Sequence, residues 1–94
     1  MTLEQKTEKI ENFIQDNNLS FKEGERNNNY TILIGYMLYL GITNEDEAFK
    51  IVSNIIPEAE EYEDEFLHRI FPYARNNHYE NFWEKSSTKD IYTY

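Results

Sequence analysis

NNNYTILIGYMLYLG, residues Asn27 to Gly41, is an apolar run bounded by amides at one end and glycine at the other. Ile32, Leu33, Ile34, Tyr36, Met37, Leu38 and Leu40 leave almost no polar face on a helical repeat. That pattern marks a central helix rather than one lying on a surface. Gly35 allows close approach by a neighbour, and Gly41 fits the left-handed position that closes a helix. Asn is a favoured N-cap because its side-chain oxygen accepts from an orphan first-turn N–H, so the spacing predicts a start at Asn28 or Asn29.

Upstream, Thr2 and Gln5 stand at capping-box spacing, and Leu3, Ile10, Phe13 and Ile14 lie near one face of a helix over Thr2 to Asn17. Residues Leu19 to Arg26 read as a loop, with Leu19 and Phe21 tucked against the core. Downstream, Thr43 is the expected cap of a third helix whose first turn holds Glu45 and Asp46, where the dipole favours acids. Ala48, Phe49, Ile51, Val52, Ile55 and Ile56 form its inner surface. A fourth helix is predicted from Glu58 to Phe71, with Tyr62, Phe66, Leu67 and Ile70 inward. Pro72 starts or kinks a fifth piece carrying Tyr73, Ala74, Tyr79, Phe82 and Trp83. No strand-like alternation occurs over a useful length. The expected fold is an all-α compact bundle of four to five helices, one domain over residues 1–85, with a frayed tail over 86–94.

Ninety-four residues leave no room for two cores. With no cysteine there is neither a disulfide framework nor a thiolate metal site, which suits the cytoplasm. Met1 to Asn12 lacks the apolar core of a signal peptide, and the longest apolar run is too short to span a bilayer. Nine basic residues face eighteen acids, a net charge of −9, which argues against gripping nucleic acid with the whole surface. Charge is uneven, however: Glu58, Glu60, Glu61, Glu63, Asp64 and Glu65 form one block, while Arg26 stands among neutral amides.

Gly24, Arg26, Asn27 and Asn28 are the candidate binding residues. A phosphate could accept from the Arg26 fork, an Asn amide and first-turn N–H groups together. The competing assignment has Asn28 capping the helix while Arg26 pairs with Glu61 or Asp64. The acidic block lacks a calcium-hand spacing and reads first as a solvated face. Glu58, Glu61, Asp64 and Glu65 would be the contacts if that face bound a basic protein partner. His68 and His78 have no further ligand at zinc spacing, and the serines have no glycine elbow. Neither phosphate-loop nor dinucleotide glycines occur, so no cofactor and no catalytic set is expected.

The order Glu23-Gly24-Glu25-Arg26-Asn27-Asn28, an apolar helix, Leu40-Gly41-Ile42-Thr43, then Glu45, Glu47 and Ala48, resembles the C-terminal helix-bundle domain of primases. Such domains occur in replication proteins of plasmids, phages and other mobile elements, including Bacteroidetes versions beside a virulence-protein-E-like region. The resemblance covers roughly Lys22 to Tyr79; Ile70 to Tyr73 and His78-Tyr79 stand where relatives have an aromatic-rich stretch. It implies a non-catalytic accessory role, engaging template or nucleotide for a separate metal-dependent polymerase domain. Arg26, Asn27 and Asn28 would then be the phosphate or template contact. Ile55-Ile56-Pro57 departs from the Pro-Pro-Leu-like entry of many relatives. A different class of function, a small acidic phage or mobile-element protein that inhibits a partner by occupying its basic channel, follows from the acidic block alone.

Overall fold

The computed structural model describes residues 1–83. It is an all-α bundle: α1 spans Leu3–Asp16, α2 Arg26–Tyr39 and α3 Glu45–Ile55. A 3-10 segment, Pro57–Tyr62, leads into a continuous helical stretch over residues 63–76, called α4. Residues 80–83 are again helical. The tail reading for 86–94 falls outside the described residues. None of the described helices is long and apolar enough to cross a membrane.

The bundle wraps α2. Tyr30, Leu33, Ile34 and Met37 are sealed in the core with Ile10 of α1, Ile51 and Val52 of α3, and Phe66 and Phe71 of α4. α2 packs chiefly on the last turns of α4, and α1 on α3. A Lys6 Nζ–Glu47 Oε1 ion pair at 3.2 Å adds a polar tie between α1 and α3. Thr2 and Gln5 form the expected capping box, with bonds of 2.8 and 3.1 Å. Leu3, placed with Ile10, Phe13 and Ile14 on one face, is instead 40 % exposed at the first residue of α1.

Gly41 closes α2 as its sequence suggested. Its φ is +92°, Ile42 donates to the Met37 carbonyl at 2.9 Å, and Gly41 donates to Leu38 at 3.0 Å. This is the double bond of a Schellman cap. The same closure ends α1 at Asn18 and α4 at His78, two non-glycine residues at φ of +51° and +55°. His78 is thus a helix stop.

Three boundaries differ from expectation. α2 begins at Arg26, with Glu25 at the N-cap and no side-chain cap. Winding starts upstream of the amides because the Arg26 and Asn29 N–H groups donate to the Lys22 and Glu25 carbonyls, so Asn29 lies inside the helix, where its amide Nδ2 donates back to the Ser20 carbonyl. At α3 the cap is Asn44 rather than Thr43; its Oδ1 accepts from the Glu47 N–H at 2.9 Å. The fourth helix, expected from Glu58, begins instead at Glu63 behind the 3-10 segment, while Pro72 stands in the first turn of the α-helical piece Phe71–Asn76, as expected. The stretch Phe66–Ile70 widens to a π-helix, and the Phe71 N–H donates to the Phe66 carbonyl five residues back. A wider turn accommodates the hydrogen bond that proline cannot make.

Candidate nucleic-acid interface

Starting α2 two residues early changes which side chains share a face. Each helical residue turns about 100°. Arg26 therefore stands over Tyr30 on one side of the first turn, while Asn27, Asn28 and Thr31 stand on the other.

On the first side, the Arg26 guanidinium carbon lies 3.6 Å from the centroid of the Tyr62 ring. Its Nε is buried and has no hydrogen-bond partner. Stacking on an aromatic face is an alternative stabilisation for such a cation, on the order of 1 kcal/mol or somewhat more when partly desolvated. The expected pairing with Glu61 or Asp64 is absent: Arg26 has no carboxylate within ion-pair range among the described residues. The ring between those two acids in the sequence takes the guanidinium instead. Tyr30, sealed beneath, has its phenol pushed up to about 12 by burial, an effect that the Arg26 charge opposes.

On the second side lies an open cleft of about 370 Å³ lined by Asn27, Asn28, Thr31, Glu65, Arg69, Tyr73 and Tyr79, with Ile70 at its base. The Asn27 and Asn28 backbone N–H groups donate to no carbonyl among the described residues, so two first-turn donors of α2 have no backbone partner. The Thr31 hydroxyl is used; it donates to the Asn27 carbonyl at 2.7 Å. Arg69 is exposed and has no acid partner within 4.0 Å among the described residues, although Glu65 shares the cleft wall. Tyr73 is 54 % exposed. Its ring centroid lies 5.8 Å from that of Tyr79. A hydrogen bond between the two hydroxyls, followed by burial, raises the Tyr79 pKa above the ordinary phenol value.

The four sequence candidates thus fall into three environments. Gly24, at φ +95°, makes the turn into α2 and stands exposed. Asn27 and Asn28 line the cleft, and Arg26 faces away from it. The cleft's cation is Arg69, which the sequence did not single out; the signal was the helical spacing of Glu65, Arg69 and Tyr73.

The acidic block also divides. Glu58, Glu60, Glu61, Glu63 and Asp64 are exposed around the 3-10 segment, whereas Glu65 is half-buried against the cleft. Asp64 meets His68 Nε2 at 3.5 Å. His68 is exposed, and no cluster of metal-ligating side chains occurs among the described residues.

No protein-family profile, curated protein or solved structure matches the chain.

Proposed function

We propose that the chain is a non-catalytic accessory module of a mobile-element replication primase, engaging single-stranded template or nucleotide at the cleft between α2 and α4. The observation that carries this reading is the convergence of Asn27 and Asn28, whose first-turn N–H groups have no backbone acceptor, with an unpaired Arg69 on one concave surface. Helix N-termini and guanidinium forks both suit phosphate oxygens. The exposed Tyr73 ring offers a base a stacking surface beside them. Glu65 supplies an acceptor for a hydroxyl or an exocyclic amine.

Fluorescence anisotropy of a labelled single-stranded oligonucleotide, at low salt, tests it. Binding in the range of about 10⁻⁴ to 10⁻⁶ M, weakening with salt, is expected for such contacts. Arg69→Ala should weaken it. Absence of binding by both the oligonucleotide and ATP would remove the proposal.

One observation favours the other class of function. Glu58, Glu60, Glu61, Glu63 and Asp64 crowd one exposed turn, and among the described residues only Asp64 has a side-chain partner within 4.0 Å, a histidine. Such a face suits a basic protein channel. Reversing Glu61 and Asp64 to Lys separates the two: an inhibitor loses its partner, whereas the cleft keeps or gains affinity for nucleic acid.

A further inference from the structure

An apolar groove of about 460 Å³ lies between the end of α1, α2 and the helical residues 80–83. Asn17, Leu19, Ile32, Tyr79, Phe82 and Trp83 line it. No charged side chain does so among the described residues, in a chain where charged residues make up 29 %. In contrast, the cleft beside α2 carries Glu65 and Arg69, and a hollow along α1 carries Glu4, Glu8 and Glu11. The groove's aromatic wall is packed from behind: Trp83 meets Phe13 edge-on with centroids 5.0 Å apart, and Phe13 stacks on Tyr36 at 4.1 Å. Asn17 turns its amide Nδ2 to the Phe13 carbonyl at 2.9 Å. Phe82 differs from its neighbours. It touches Trp83 edge-on at 4.9 Å, yet it is 64 % exposed, more than any other large hydrophobic residue among those described.

We infer that a second copy of the chain occupies this face, in a reversible two-fold dimer that seats Phe82 of each copy in the groove of the other. An isologous contact needs one patch that carries both a projection and its recess. Phe82 and the hollow formed by Leu19, Ile32 and Tyr79 supply the two on a single face. Electrostatics selects the same face. Two chains of net charge −9 repel one another, so their approach costs least where the meeting surfaces carry no charge. Removal of two phenyl rings from water supplies the attraction. Six lining residues fall well short of the roughly 20–30 a side of a standard interface, so the dimer forms and dissociates with concentration.

Sedimentation equilibrium of the full chain, from about 10 μM to about 1 mM, brackets such weak association and tests it. The mean mass should rise from that of one chain toward that of two, and added salt should favour the dimer by screening the acids. Trp83 is the lone tryptophan, so its emission should move to shorter wavelength over the same range. Each dimer buries the Phe82 ring twice, so Phe82→Ala should weaken association by about tenfold or more. Because that ring is mostly exposed, the variant's circular dichroism and melting should match the parent's. Mixtures of labelled and unlabelled chain should show intermolecular NOEs from Phe82 to Leu19 and Ile32. A single-chain mass at every concentration overturns the dimer, and uptake of an apolar dye by that monomer would assign the groove to a small apolar molecule instead. A dimer that Phe82→Ala leaves equally tight uses another face and overturns the assignment as well.

Discussion

The Arg26 guanidinium stacks on the Tyr62 ring, 3.6 Å from its centroid, and so fastens the start of α2 to the segment that precedes α4. This contact decides the layout of the candidate interface. It turns one arginine away from the cleft. Removing either partner should cost stability, and the two losses should not add. A double-mutant cycle of Arg26→Ala and Tyr62→Ala in urea is expected to show a coupling of about 1 kcal/mol. Tyr62→Phe should retain most of it, because the ring face rather than the hydroxyl carries the attraction.

Gly35 sets the depth at which the cleft's aromatic wall sits. A Cβ there would come within 3.0 Å of the Tyr79 Cβ and 3.1 Å of the Tyr79 carbonyl oxygen. Backbone would have to move, since neither contact is the flexible end of a side chain. Gly35→Ala should therefore destabilise by about 1–3 kcal/mol through overpacking, outweighing the better helix propensity of alanine. Thermal unfolding followed by far-UV circular dichroism checks the sign.

His78 stops α4 in the left-handed region, at φ +55°. A side chain there costs roughly 1–2 kcal/mol relative to glycine, offset in part here by a 3.4 Å contact between its Nδ1 and Glu80 Oε1. His78→Gly should raise stability by about 1 kcal/mol, read as a melting temperature higher by about 4–8 °C for a domain of this size.

Tyr30 should give the fold an alkaline limit. Burial raises its phenol from 10.0 to about 12, so the folded state favours the protonated form. The stability this contributes is complete below pH 10.0 and is lost as pH rises through about 12. Unfolding in that window, followed by tyrosinate absorbance and helicity together, should be reduced in Tyr30→Phe, which keeps the ring packing against Phe66 and Phe21.

Much of the fold could be read from side-chain periodicity. The apolar circumference of α2 demanded a central position, and Gly41 and the Thr2–Gln5 box marked ends through purely local chemistry. The site was legible only in part, for a geometric reason. Whether Arg26 and Asn27 face together depends on where helical winding begins, and that is set by the turn before α2, where the Arg26 N–H donates to the Lys22 carbonyl and the Asn29 N–H to the Glu25 carbonyl. The π-helical turn before Pro72 was hidden too, because proline signals a break equally well. It stands between Glu65 and Phe71 in α4, so regular helical spacing only approximates how Glu65, Arg69 and Tyr73 share a wall.

Amide and side-chain NMR of the uniformly labelled chain, titrated at low salt with a single-stranded deoxythymidine octanucleotide, addresses the interface most directly. The predicted shifts are concentrated at Asn27, Asn28, Arg69 and Tyr73, and fade with added salt. Shifts confined to the turn bearing Glu58 to Asp64, or no shifts at all, would contradict a nucleic-acid role for the cleft.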